Sequence, residues 1–291
     1  MAESSEDNEL LTDSSRLPLL VDISLLQRIS PAKVLLVAVM EESAFNAGHI
    51  PGSVLVQPAE LVCGLWPAVG KLPDVDSLSV LFSRIGLEQN SHVIAYDNER
   101  GGWAGRLLWT LDVVGHAAWS YLDGGLMAWR AAQQPLSNSP VRPTSTRYHA
   151  VIDSGPIASL EDVLAQINDP GSVVWDARTA EEYRGEKITA ARNGHIPGAV
   201  NLDWLELMMH DRCRCLKPPA ELARLLDARG ISAGKAVIAH CQTHHRSALA
   251  YLVGKLLGLN IKAYDGSWAE WGNHPDTPVE VGDGSGAAAT K

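Results

Sequence analysis

The residues best placed to do chemistry are a cysteine, two histidines and an arginine in the run CQTHHR, Cys241 to Arg246. The run separates apolar VIAH from SALAYLVGKLLG, so a thiol, imidazoles and a guanidinium converge where the chain changes character. Three chemistries use such residues: a thiolate nucleophile, a zinc site, or none, with Cys241 an ordinary buried cysteine. Its position at the C-terminal end of a strand pattern and just before a helical one favours function, because open α/β sheets bind ligands there. Zinc requires paired ligand knuckles, and no second knuckle at suitable spacing accompanies Cys241, His244 and His245. Cys213 and Cys215, in HDRCRC, read as ordinary thiols in a charged loop and receive no role. The expectation is therefore no metal and no cofactor.

A thiolate at Cys241 needs stabilisation. A free cysteine near pKa 8.5 is only a few per cent ionised at neutral pH, and lowering it by two units takes about 2.7 kcal/mol. A helix N-terminus typically supplies about 0.3–1 kcal/mol, so loop amides curled around the sulfur have to supply much of the rest. Arg246, His244 and His245 are expected to add positive field, with Gln242 and Thr243 completing the loop. Loop length separates two thiolate chemistries. Cysteine-dependent phosphatases carry C-x5-R, a ring of amides that accommodates a phosphate dianion. Here only Gln242, Thr243, His244 and His245 lie between Cys241 and Arg246, giving C-x4-R, a ring sized for one sulfur atom.

The elements that must hold this loop are legible as strand and helix patterns. SVVWDA (Ser172 to Ala177), AVIAH (Ala236 to His240) and IKAY (Ile261 to Tyr264) read as strands. Leu249, Leu252, Val253 and Leu256 fall at i, i+3, i+4 and i+7, and Gly258 stands at a C-cap position. Strands alternating with helices predict an α/β fold with a parallel sheet.

The chain also repeats itself at an offset of about 140 to 146 residues. GHIPG occurs at Gly48–Gly52 and Gly194–Gly198, VIAYD (Val93 to Asp97) returns as VIAHC, and LDGGLMAW (Leu122 to Trp129) returns as YDGSWAEW (Tyr264 to Trp271). Three matches in one order imply two homologous domains, expected at 18–137 and 157–277. They are joined by a Pro, Ser and Thr-rich linker at 138–156 and flanked by disordered tails at 1–17 and 278–291. Asp97 stands opposite Cys241, NERGGW opposite QTHHRS, and Ala38–Met40 opposite the DAR of Asp176 to Arg178. The first domain thus reads as chemically silent, a wall for the second, with Trp103 or Trp109 as contributors.

Composition excludes other classes. A net charge of −10 argues against nucleic acid and anionic membrane surfaces. The longest early apolar run, Lys33 to Met40, is far short of the roughly 20 residues of a membrane span. The acidic start carries no secretory or mitochondrial signal pattern. Four unevenly placed cysteines do not make a disulfide framework, so a reducing compartment, the cytoplasm, is expected.

Together, the doubled GHIPG, the DAR strand end, the six-residue cysteine loop and YDGSWAEW resemble a tandem-domain rhodanese. The resemblance covers nearly the whole chain outside the tails, and CQTHHR is similar to the loop of the Azotobacter and Pseudomonas rhodaneses. It implies two rhodanese-like domains, each a central parallel sheet flanked by helices, with Cys241 in the second carrying a persulfide. It further implies transfer of the sulfane sulfur of thiosulfate to cyanide, a small thiol or a protein acceptor, by a monomer. Where the animal enzymes have a lysine two positions after the cysteine, this chain has Thr243. Where they have a second arginine four positions after that of D-x-R, it has Glu182. Arg246 becomes the anion-binding candidate, while Arg178 is either a second one or a salt-bridge partner of Glu181 or Glu182. Asp176 is expected to orient the loop and Trp204 to form an apolar wall. Mercaptopyruvate sulfurtransferase is the nearest alternative, with a loop that is typically CGSG-like and less basic. A noncatalytic sulfur-carrier module or a phosphatase is more distant.

Overall fold

The computed structural model describes residues 17–31, 34–211 and 213–283. The acidic opening, apart from Leu17, and the terminal GSGAAATK lie outside the described residues. Continuous β-branched and apolar runs form two all-parallel sheets, buried on both faces as such sequences require. The first repeat runs β1 (Leu20–Val21), α1 (Ile23–Arg28), β2 (Val34–Val39), α2 (Glu42–Ala47), β3 (Val54–Val56), α3 (Val75–Arg84), β4 (His92–Asp97), α4 (Gly102–Val113), β5 (Trp119–Leu122) and α5 (Gly125–Ala131). The second runs α6 (Leu160–Gln166), β6 (Ser172–Asp176), α7 (Ala180–Arg184), β7 (Val200–Asn201), α8 (Pro219–Asp227), β8 (Ala236–His240), α9 (Arg246–Leu256), β9 (Asn260–Ala263) and α10 (Ser267–Trp271).

Strand order is β1-β5-β4-β2-β3 in the first sheet and β7-β6-β8-β9 in the second, where a parallel bridge from Ile157 to Ala263 takes the place of β1. Register confirms the sequence alignment of the repeats: Ala38 lies beside Tyr96 in one, Asp176 beside His240 in the other. The GHIPG histidines are structural in both. His49 stacks on Phe45 and bonds its carbonyl, and His195 does the same with Tyr183. His49 also bridges to Ser137, and His195 to Glu280.

That symmetry corrects the expected C-terminal boundary. Residues 278–283 return to the second domain: Glu280 exchanges backbone hydrogen bonds with His195, and Trp271 Nε1 donates to the Pro278 carbonyl as Trp129 Nε1 does to Pro135. Residues 138–156 contain no helix or strand, yet they are tied down. Ser83 accepts from Thr146 through its carbonyl and from Tyr148 through its hydroxyl, and the Pro156 carbonyl accepts from Trp109 and Ala263.

Helix α9 departs from its amphipathic pattern, for Ser247 through Gly254 are all buried. One side covers its own sheet and the other packs on α4, itself buried almost throughout. Helices that are apolar all round belong inside a protein. The seam merges the inner cores of both repeats into one cluster, from Val37 and Trp109 to Trp175 and Leu252. Gly105 permits the close approach: a Cβ there would stand 2.8 Å from the Ala248 carbonyl oxygen. Beyond α9, Gly258 takes a left-handed φ of 70°, as its C-cap position predicted.

Candidate active site

Strand β8 ends at His240 and α9 begins at Arg246, so Cys241 sits at the carboxyl end of the sheet. It is buried, 1% exposed, in the bowl of its loop, while Gln242, Thr243, His245 and Arg246 are half-buried and form the mouth. The backbone turns left-handed at His244, φ 54°, folding the chain back over the sulfur. Two short bonds lock the loop from below, from Trp268 N to the Cys241 carbonyl and from Ala269 N to that of Gln242, each 2.9 Å. Gln242 Nε2 donates to the Thr189 carbonyl at 3.0 Å.

Burial pushes the Cys241 thiol up, but the Arg246 charge, the Ser247 hydroxyl and the amides of Ser247 and Thr243 outweigh it and bring the thiol below its ordinary value. Ser247 has one hydroxyl proton to give. When it points at the sulfur, the hydroxyl oxygen must accept from His244 Nδ1, 2.8 Å away, which fixes that imidazole as the Nδ1–H tautomer.

The histidines do not supply positive field. Burial, then the charge of Arg106, push His244 well below the imidazole range. Burial, then Arg246 and Arg106, bring His245 down to about 4. Both are neutral at pH 7, because a desolvated imidazole beside guanidinium groups resists a second positive charge. Instead they serve as surfaces. His244 meets the edge of Trp109 at 4.4 Å, and His245 lies between Trp103 and Trp204 at 4.7 and 5.5 Å.

Arg246 is the cation nearest the role expected of it, and it is not free. Its Nη1 and Nη2 donate to the two oxygens of Glu182 at 2.5 and 2.9 Å, a bidentate pair. Burial raises the Glu182 carboxyl, but bonding to Arg246 prevails and keeps it ionised. Glu182 also accepts from Thr179 N in a capping box that starts α7.

Arg178 does not pair with Glu181 or Glu182 and does not reach the mouth. It is fully buried, its Nη2 bonded to Asp176 at 2.5 Å and to the Gly194 carbonyl at 2.8 Å, with its guanidinium over Trp268 at 4.3 Å. Asp176 accordingly orients Arg178 and not the loop. Burial opposes its charge, but Arg178 and His240 keep the carboxyl below its usual range. The D-x-R motif is thus a strut joining the β6 end to GHIPG. Cys213 and Cys215 lie away from this loop, beside Gly124 of the first domain. No metal-holding cluster of His, Cys, Asp and Glu occurs among the described residues.

Several contributors were missed in the sequence: Ser247, Glu182 as partner of Arg246, Arg106, and glycines of the first domain. A Cβ at Gly102 would stand 2.2 Å from His245 Nε2, and one at Gly70 2.2 Å from the Thr243 carbonyl oxygen. The cluster GGWAG, with glycines at 101, 102 and 105, was the available signal of close approach.

The rhodanese-like domain model matches this chain twice, over residues 23–132 and 159–274. The chain belongs to the rhodanese family. Among its relatives, the thiosulfate sulfurtransferase of Azotobacter vinelandii is 42% identical over 273 residues, covering 93% of this chain and all of that protein. That of Pseudomonas aeruginosa is 43% identical, covering 92% and 98%. The 3-mercaptopyruvate sulfurtransferase of Escherichia coli K12 is 32% identical, covering 80% and 83%. Two rhodanese domains explain why GHIPG and the Trp-containing α5 and α10 recur.

Proposed function

We propose that this rhodanese is a thiosulfate sulfurtransferase working through a persulfide on Cys241. The observation that carries the reading is the buried Cys241 thiol, drawn toward its anion inside a loop of only four residues before Arg246. The Cys241 thiolate attacks the outer sulfur of thiosulfate, a new S–S bond forms, and the S–S bond of thiosulfate breaks with its electron pair leaving on sulfite. The enzyme is left as Cys241–S–S⁻, with charge conserved. Cyanide, or a thiolate acceptor of a small molecule or protein, then attacks the terminal sulfur and the Cys241 thiolate departs, as thiocyanate or a new persulfide forms.

Arg246 orients the departing sulfonate end from the mouth, held by Glu182, while Gln242, Thr243 and Trp204 shape the approach. Greater likeness to the thiosulfate enzymes than to the mercaptopyruvate enzyme supports thiosulfate as donor. Among the described residues all four cysteines are unpaired, and no helix is long and apolar enough to cross a membrane, which suits a cytoplasmic setting.

The test is thiocyanate formation from thiosulfate and cyanide set beside mercaptopyruvate turnover, with intact mass after thiosulfate treatment. Expected are preference for thiosulfate and a one-sulfur gain that Cys241→Ser abolishes. A mass gain surviving that substitution would overturn the assignment.

A further inference from the structure

Each cation expected of the second domain is compensated or buried away from the mouth. Arg246 is paired with Glu182, Arg178 with Asp176, and His240, His244 and His245 are neutral because burial pushes each below the imidazole range. The reaction nevertheless brings a dianion to a thiolate and leaves a persulfide anion in the bowl. One cation near the loop stands in no ion pair among the described residues, and it comes from the other domain. Arg106, on α4, is fully buried, and no ion pair engages it among the described residues. Its Nε and Nη2 donate to the Leu61 carbonyl at 3.2 and 2.8 Å, while Nη1 has no partner. The guanidinium lies 4.6 Å over the Trp109 ring whose edge meets His244 of the cysteine loop. Its neighbour Gly105 touches the first turn of α9.

We propose that Arg106 is a positioning residue for sulfur transfer: the first domain supplies a buried positive charge, engaged in no ion pair among the described residues, that holds the sulfur anion of Cys241. The inference rests on the persulfide reading above. Burial lowers the Arg106 guanidinium to about 10, opposed by Asp265, Cys241 and Cys63, so it remains charged at neutral pH and shares a field with the reactive sulfur. The other charged or titratable groups around the loop include Arg246, Glu182, His240, His244, His245, Asp176, Asp203 and Asp265 from its own domain, with Glu99 and Cys63 from the first. A buried charge acts through little screening solvent, so its removal should be felt at the sulfur.

The experiment measures the rate of Cys241 alkylation by iodoacetamide against pH in the full chain, with Cys241→Ser as blank. Arg106→Gln keeps a donor for Leu61 and loses the charge, while Arg106→Lys keeps the charge and loses the planar fork. Melting temperatures of both report any common structural cost. For Arg106→Gln, the expected result is a profile displaced to higher pH, with Cys241 alkylation at pH 7 about fivefold slower and thiosulfate turnover falling with it. Arg106→Lys should stay within about twofold of wild type. Equal profiles for wild type and Arg106→Gln would overturn the proposal, as would equal displacement in both variants. If Arg106→Gln does not fold, Arg106→Lys alone decides, a displaced profile in folded protein counting against. Absence of any Cys241-dependent sulfur gain in wild type would instead sink the persulfide reading, a separate failure.

Discussion

The loops that follow β4 and β8 have one backbone and two contents. Each turns left-handed at its third residue after the strand-end position, at Arg100 with φ 68° and at His244 with φ 54°, and each enters a helix two residues later. In the first, Asp97 fills the bowl: its Oδ1 accepts from the amides of Glu99 and Gly101 and its Oδ2 from Ala104, at 2.8 to 2.9 Å. In the second, Cys241 takes the same place and the amides of Thr243 and Ser247, the counterparts of Glu99 and Trp103, turn toward sulfur. The same nest of amides thus faces a carboxylate in one copy and a thiol in the other. One copy is closed by a built-in carboxylate, and the other holds the Cys241 thiol in its place.

Making the second loop like the first should have the largest effect. Cys241→Asp is expected to fold, with the loop amides donating to the carboxylate as they do to Asp97, and to lose thiosulfate turnover by more than about a thousandfold. Cyanide assay and a melting curve check both halves. The reverse change, Asp97→Cys with Cys241→Ser, should gain no sulfur by mass, because Gly102 stands where Arg246 would be needed.

Next comes the pair that only the second loop has. Arg246→Met leaves Glu182 buried without its partner, costing on the order of 3 kcal/mol of stability and about a hundredfold in kcat/KM for thiosulfate. Adding Glu182→Gln should restore most of the stability and little of the activity. Recovery of both together would mean the pair is only structural.

A third test presses on the seam between the copies. Gly102→Ala drives a methyl group into His245, and a melting point lower by the equivalent of about 1–3 kcal/mol is expected, with a smaller loss of turnover. An unchanged melting point would show that the seam can yield.

The smallest effect is expected of the imidazoles. His244 is depressed well below its ordinary value and His245 to about 4, so both stay neutral above about pH 5. The rate profile from pH 5.5 to 8 should follow the Cys241 thiol alone, rising as the thiol ionises. His245→Gln should leave the alkylation profile within about twofold. An inflection near pH 6.5 that this substitution removes would contradict the neutral assignment.

Three strands of the second repeat, β6, β8 and β9, the start of α9 and the pairing of Cys241 with Asp97 were legible because each rests on local pattern: β-branched runs, a helical period, a motif repeated in register; the two-residue β7 was too short to show one. The C-terminal boundary was not, since Val279 and Glu280 have no distinctive composition and are held by a bridge to His195 far back in the chain. Nor was the protonation of the histidines, which depends on what covers them. CQTHHR looks cationic in one dimension, and only Trp103, Trp109 and Trp204 packed around its imidazoles strip away the water that would charge them.

The sequence by itself determined the family, the doubled α/β scaffold, which copy carries the cysteine, and the four-residue spacing from Cys241 to Arg246, because each is written in residue types at short range. Tertiary structure decided the electrostatics. Which carboxylate holds Arg246, which strut uses Arg178, and which domain contributes Arg106 all depend on partners brought together from distant segments. The energy of a charge inside a protein is set by those neighbours and by the water they exclude.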